Sequence, residues 1–140
     1  MRFMIMVKGN KDTEAGKMPE EKLIAEMAAY HEELARAGVL LDASGLQPTS
    51  KGIRIRYSGG KRAVIDGPFT ESKELIAGYT LIQVKSREEG LEWAMRFPAP
   101  FGEGKDGEIE VRQLFGLEDF GPSTAGNRFH ELEKALPINK

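Results

Sequence analysis

The stretch Phe3-Met4-Ile5-Met6-Val7 decides the fold, because every one of its positions is apolar. A strand with one solvent-facing side alternates apolar and polar residues, whereas a continuous apolar run is typical of a strand that is covered on both faces. The stretch therefore predicts a central strand. It also requires that each side of the sheet be covered.

The segment that follows this strand predicts an amphipathic helix over about residues 19–37. Pro19 suits a first helical turn, and Gly38 suits the position just after a helix. At 100° per residue the apolar side chains fall on one arc of the helix. These are Leu23, Ile24, Met27, Ala28, Tyr30, Leu34 and Ala35. The helix is therefore expected to pack against one face of the sheet, and a second strand begins at 39–41.

The remaining pattern completes a split β-α-β order with an inserted hairpin. Two alternating runs around a Gly-rich turn predict the hairpin, and a capping box at Ser86 and Glu89 predicts the second helix with Leu91, Ala94 and Met95 as its buried stripe. The predicted segments are a hairpin at 53–57 and 63–65, a strand at 78–85, a helix at 86–97 and a strand at 108–112. The fold class is α+β and ferredoxin-like.

Helices of such a fold cover only one face of the sheet, although the first strand is apolar on both sides. A second copy of the sheet is the simplest cover for the other face, so a face-to-face homodimer is expected. The segment 117–140, with a short helix at about 127–136, is the alternative source of cover. Trp93 and Phe97, one helical turn apart, are expected to pack against this tail or a partner chain rather than bind a ligand.

Composition excludes several classes of function. The chain has 140 residues, room for one domain, and 20 Lys and Arg against 22 Asp and Glu, so no basic excess favours nucleic acid or anionic membrane as a partner. Cysteine is absent, and no metal-ligand, dinucleotide or Walker motif occurs, so neither a metal nor a cofactor is expected. The apolar run at the start is too short for a signal peptide or a membrane span, which favours a cytoplasmic location.

His31 is the first candidate for chemistry, because the helical arc places it among apolar residues and directs it inward. A buried imidazole needs a hydrogen-bond partner or a cavity. Two interpretations stay open. His31 is either a core histidine satisfied by a carbonyl or carboxylate, or a general acid or base that lines a pocket under the helix.

The second candidate is the loop 66–74, which is rich in ionisable groups and lies between two apolar strands. Asp66 either forms an Asx-type turn or orients an imidazole, and Lys73 offers a cation to an anionic ligand. Phe69 in the same loop is a further candidate for ligand binding. Arg54 and Arg56 share one face of the hairpin, which either binds a carboxylate or is simply the solvent side.

The sequence VIDGPFTESKELIAGY at 64–79, together with AGVL at 37–40 and SGLQP at 44–48, resembles the DGPF branch of the YCII-related proteins. The resemblance covers about residues 1–115. It implies a ferredoxin-like domain over 1–116 that forms a dimeric α+β barrel, with 117–140 as a tail outside the usual pattern.

For activity, the resemblance implies a His–Asp pair in a cleft, with His31 on the first helix and Asp66 or Asp42 as the carboxylate. One relative of the wider family is a dehydrochlorinase. A cofactor-independent enzyme with lyase-like or isomerase-like chemistry on a small anionic or aromatic molecule is one hypothesis. A metabolite-binding or regulatory dimer is the second, since related domains are fused to sigma factors. A purely structural dimer is the third.

Overall fold

The computed structural model describes residues 1–70 and 74–137. The strands and helices follow the predicted order, and a four-residue helix lies within the segment 8–18, where the sequence predicts a loop. The elements are β1 (Arg2–Lys8), α1 (Lys11–Glu14), α2 (Glu21–Arg36), β2 (Leu40–Gly45), β3 (Ile53–Ser58), β4 (Lys61–Asp66), β5 (Ile76–Gln83), α3 (Arg87–Met95), β6 (Ile109–Gln113) and α4 (Thr124–Ala135).

Four strands form one antiparallel sheet in the order β2-β5-β1-β6, and β3 and β4 form a separate two-stranded hairpin. β1 therefore has a hydrogen-bonded neighbour on each side, which confirms the central position predicted from its apolar run. The fold is α+β, as expected. In the described residues the sheet is open, and the barrel and the homodimer remain predictions that require a second copy of the chain.

The core lies between the sheet and the helices α2 and α3. Phe3 and Ile5 point from β1 toward the helices, and the residues buried with them lie in α2, β5 and α3 or directly beside β2 and β5. They are Tyr30, Leu34, Val39, Ile82, Val84, Trp93 and Ala94. Because side chains alternate along a strand, Met4 and Met6 point to the opposite side of the sheet. We call that side the open face.

The buried stripe predicted for α3 is wrong in two of its three positions. Ala94 is buried, but Leu91 and Met95 are 60% and 78% exposed, and Trp93 takes their place in the core. The cause is the contact between α3 and β1, where a Cβ atom added at Gly90 would lie 3.1 Å from the ring of Phe3. The helix therefore turns its glycine toward the sheet. Trp93 packs within its own chain rather than on the tail.

Tyr30 joins the two helices, because its hydroxyl donates to the backbone carbonyl of Trp93 at 2.6 Å. Burial raises the pKa of Tyr30 from 10 to about 12. The folded state thus favours the neutral phenol, so this contribution to stability is complete below pH 10 and is lost as the pH rises through 12.

Tyr30→Phe is expected to lower the free energy of unfolding by about 1 kcal/mol at neutral pH, the usual worth of one hydrogen bond. Urea denaturation measures this change, and ultraviolet titration of the phenols should lose its step near pH 12. Tyr57→Phe is the control, because Tyr57 is 67% exposed on the hairpin. Equal stabilities of the two variants would contradict the prediction.

Candidate functional site

His31 lies on the inner side of α2, against β5, as the helical arc predicts. Its Nδ1 is 2.7 Å from the carbonyl oxygen of Met27, and its Nε2 is 2.8 Å from Oγ1 of Thr80. A carbonyl only accepts, so Nδ1 carries a proton and donates it. In the neutral ring Nε2 then accepts a hydrogen bond from the Thr80 hydroxyl, and both nitrogens have partners.

The surroundings of this imidazole are mostly aromatic. The ring centroids of Tyr30 and Phe97 are 5.4 and 6.3 Å from that of His31, in edge-to-face geometry. Thr80 is only 2% exposed, and His31 itself is half-buried. The ring is thus held by a backbone carbonyl, a buried hydroxyl and two aromatic edges, and its two short contacts involve no carboxylate.

Asp42 lies on the other side of the sheet from His31. Its carboxylate accepts hydrogen bonds from the hydroxyl of Tyr79 at 3.0 Å and from the backbone N–H of Ala43 at 2.9 Å. Thr80 faces the helices, so its chain neighbour Tyr79 faces away from them. The structure therefore separates Asp42 from the imidazole by the thickness of the sheet.

The DGPF loop ties the base of the hairpin to the rest of the domain. The N–H of Gly67, which precedes Pro68 through a cis peptide bond, donates to the carbonyl of Gly52 at 3.0 Å. A Cβ atom at Gly67 would lie 1.7 Å from the carbonyl oxygen of Thr49, so only glycine fits. The N–H of Phe69 donates to Oγ1 of Thr49 at 3.0 Å. We call this arrangement the hairpin clamp.

The clamp continues to α1, because the Thr49 hydroxyl and N–H both donate to the carboxylate of Glu14. Asp66, the first residue of the DGPF motif, ends β4 opposite Ile53 and is exposed. The geometry thus gives Gly67 and Phe69 a packing role. Asp66 forms no part of that contact.

The ligand-binding candidates of the hairpin are partly brought together. The guanidinium carbon of Arg54 lies 3.8 Å from the centroid of the Phe69 ring, in a cation–π contact. Arg56 is on the same face of β3 and is exposed, as the alternation predicts. Lys73 lies outside the described residues.

The open face carries a polar group at each end of an otherwise apolar row. Strand pairing aligns four residues directly across the sheet: Asp42, Leu81, Met4 and Arg112. We call this line the transverse row. Three strand spacings of about 4.8 Å make it about 14 Å long, with a carboxylate at one end and a guanidinium at the other.

Hydrogen bonds between neighbouring side chains shift the pKa values of two groups on this face, Glu110 and Tyr79. Glu110 binds Arg112 and Lys8, and its pKa lies below its usual value chiefly because it accepts a hydrogen bond from Arg112. At the other end, the pKa of Tyr79 is raised chiefly by its hydrogen bond to Asp42. Sequence reasoning missed Tyr79 and Arg112, because only the pairing of β2 with β5 brings Tyr79 within reach of Asp42, and only the pairing of β1 with β6 aligns Arg112 with Met4.

Other surfaces offer less for chemistry. Two depressions of about 350 and 530 Å³ are lined by the hairpin tip and by the outer side of α3, and neither includes His31, Asp42 or Asp66. Among residues 1–70 and 74–137, no group of three His, Asp or Glu side chains is placed to hold a metal ion. In the same residues no helix is long and apolar enough to cross a membrane.

Comparison with known proteins agrees with the resemblance seen in the motif. A model of the YCII-related domain matches residues 1–118. An uncharacterized protein of Rhizobium meliloti (strain 1021) is 35% identical over 98 residues, which are 70% of this chain and 77% of that protein. The narrower assignment to the DGPF branch remains a prediction from residues 64–79. A match over most of the chain, together with this relative, shows that the chain belongs to the YCII-related family.

Proposed function

We propose that the protein is a homodimeric small-molecule-binding module whose ligand lies along the transverse row, between the open faces of two copies. The observation that carries the proposal is the hydrogen bond from Tyr79 to Asp42, a polar pair on a sheet face that is otherwise apolar toward its centre. Ligand sites are typically apolar with a few convergent polar groups that orient the ligand. This face has that character.

The polar pair determines the kind of group that it would bind. The phenol of Tyr79 is protonated at neutral pH, so it donates and Asp42 accepts, and this hydrogen bond raises the pKa of Tyr79 further. The carboxylate retains capacity to accept from a ligand hydroxyl or amino group. Leu81 and Met4 offer contact to an apolar, flat body, and Arg112 offers a cation to an anionic group at its far end. The expected ligand is therefore an elongated aromatic acid with a hydroxyl or amino substituent.

A second copy supports the site because one chain covers the open face only in part. β1 is apolar on both sides, and on the open face Met6 is buried within one chain whereas Met4 and Leu81 are only half-buried. The tail meets this face at Arg2, which pairs with Glu133 at 3.8 Å and donates to the carbonyl of Phe115 at 3.2 Å. Two sheets packed face to face would form the barrel expected from the family and enclose a ligand.

Acid–base catalysis by His31 is a second candidate function, and the geometry of the ring favours it in one respect. The carbonyl of Met27 fixes the tautomer, so that Nε2 presents a lone pair, as a general base requires. In this mechanism Met27, rather than Asp66 or Asp42, orients the imidazole. Movement of the Thr80 hydroxyl would free Nε2 for a substrate proton. Arg54 and Phe69 would then serve as a separate contact for an anionic aromatic group.

Binding of 6-hydroxy-2-naphthoate by calorimetry tests the first proposal, because this probe has a hydroxyl and a carboxylate at opposite ends of a flat body. Asp42→Asn is expected to weaken binding roughly tenfold, the effect of one charge-assisted hydrogen bond. Tyr79→Phe should weaken it less. Asp12→Asn on α1 is the control, because Asp12 is exposed and lies outside the sheet.

Two comparisons separate the candidates. Loss of the hydroxyl in 2-naphthoate should weaken binding to the natural protein but should change binding to Asp42→Asn little. His31→Gln should leave the affinity unchanged under both candidates, and it should abolish turnover of a bound substrate only if His31 is catalytic. Equal affinities of the natural protein and Asp42→Asn would refute a ligand on the transverse row.

A further inference from the structure

The hairpin has one uncovered apolar face. Direct pairing of Ile55 with Val64 places Ile53, Ile55, Tyr57 and Val64 on the same side. Each of the four is about half exposed or more. A two-stranded hairpin is at best marginally stable by itself, and the clamp holds only its base. The apolar face therefore needs a partner surface.

The tail has a matching apolar surface. The rings of Phe115, Phe120 and Phe129 form a continuous cluster, with centroid distances of 5.8 and 6.5 Å. Leu132 and Leu136 extend it along α4, and all five side chains are at least half exposed. An uncovered apolar cluster of this size typically marks an interaction site.

The two surfaces carry opposite net charge. Residues 53–66 contain four Lys and Arg and one Asp, for a net charge of +3, whereas residues 117–137 contain four Asp and Glu and two Lys and Arg, for a net charge of −2. Like charges at an interface are unfavourable, and complementary ones select the partner. Contact between two hairpins is therefore disfavoured, and contact between a hairpin and a tail is favoured.

Strand pairing places the two surfaces at opposite corners of the sheet. The hairpin leaves β2 at Gly45 and returns to β5 at Ile76, which pairs with Lys8. The tail leaves β6 beyond Gln113, which pairs with Phe3. The sheet is about 20 Å long and about 14 Å wide, so roughly 25 Å separates these corners in one chain.

A two-fold axis that lies parallel to the open face and perpendicular to the line joining those corners exchanges them. It stacks two open faces with their β1 strands crossing at about 70°, close to the orthogonal geometry of packed sheets. We propose that, in the homodimer on which the proposed function also rests, the hairpin of each copy packs on the Phe115–Phe120–Phe129 cluster and α4 of its partner. The tail is then part of the dimer interface, and two equivalent contacts close the ends of the ligand site.

Cross-linking between single-cysteine variants tests this contact directly, because the natural chain has no cysteine. Ile55→Cys with an affinity tag and Leu132→Cys without one are mixed, allowed to exchange subunits, and treated with a short bismaleimide. The mixed pair is expected to yield a cross-linked heterodimer, while each variant alone yields little. Met95→Cys replaces Leu132→Cys as the control, since Met95 is exposed on the helix side of the sheet.

Three results would overturn the contact. The first is strong cross-linking of Ile55→Cys with itself. The second is a cross-link within one chain of the double variant Ile55→Cys/Leu132→Cys at high dilution. The third is the absence of a cross-linked heterodimer from a protein that sedimentation shows to be dimeric. The last result leaves the dimer of the proposed function intact. A monomer at high concentration, in contrast, would refute the dimer and the contact together.

Placing a charged residue in the contact provides an independent test, the change in the dissociation constant of the dimer. Val64→Glu is expected to raise the dissociation constant of the dimer at least about a hundredfold, because a loss of about tenfold applies at each of two equivalent contacts. Leu91→Glu, exposed on α3, should leave the dissociation constant unchanged. Sedimentation velocity over a concentration series measures the dissociation constants of both variants. Equal constants for Val64→Glu and Leu91→Glu would contradict the contact.

Discussion

Gly67→Ala is expected to destabilise the domain by at least about 3 kcal/mol, at the upper end of what overpacking usually costs. The added Cβ would lie 1.7 Å from the carbonyl oxygen of Thr49, so the loop or the turn at 49–51 must move. Either movement breaks the hydrogen bonds from Gly67 to Gly52 and from Phe69 to Thr49. Urea denaturation followed by circular dichroism measures the loss.

Gly45→Ala is the matched control for this variant. Gly45 ends β2, an added Cβ there meets no atom within 4 Å, and its φ lies outside the left-handed region. The same chemical change should therefore alter the free energy of unfolding by no more than about 0.5 kcal/mol. If both glycine variants were equally stable, the clamp would not be the reason for glycine in the DGPF motif.

Trp93→Ala is expected to cost about 3–5 kcal/mol, because it removes the largest side chain of the core between α2 and α3. Trp93 is 8% exposed and packs against Tyr30 at a ring-centroid distance of 6.4 Å. It is the one tryptophan of the chain, so thermal and urea transitions of this variant are followed by circular dichroism.

Leu91→Ala distinguishes the observed packing of α3 from the packing predicted by its sequence. Leu91 is 60% exposed, so truncation should change the free energy of unfolding by less than about 0.5 kcal/mol. A buried Leu91, as first predicted, would instead cost about 2–5 kcal/mol. A loss of that size would show that α3 faces the sheet with the other side.

The clamp gives part of the DGPF motif a physical explanation that is independent of catalysis. Gly67 is required by a close backbone approach, and the Phe69 N–H and ring have partners in Thr49 and Arg54. The motif thus joins the hairpin to α1 and the turn before β3. In the proposed dimer, the hairpin clamp would position the hairpin for its contact with the partner.

The separation of His31 from Asp42 also bears on function. The two residues lie on opposite sides of the sheet, so the ligand that we propose on the open face would contact Asp42 and Tyr79 without reaching the imidazole. Their roles can therefore be tested one at a time, and a variant of either residue should leave the surroundings of the other unchanged.

The sequence by itself determined the order of elements, the central position of β1, the face of α2 and the inward direction of His31. Each of these follows from the spacing of apolar residues along a short segment, because that spacing indicates which side of a strand or helix is buried. The apolar pattern was wrong for Leu91 and Met95 of α3, and also for Ile24, Ala28 and Ala35 of the α2 arc, which are exposed.

Only the tertiary structure decided which residues meet. Gly90 set the rotation of α3 through its contact with Phe3, and the pairing of β2 with β5 placed Asp42 beside Tyr79 and away from His31. Contacts of this kind join residues far apart in the chain. Their geometry depends on strand register and close packing, which no local pattern encodes.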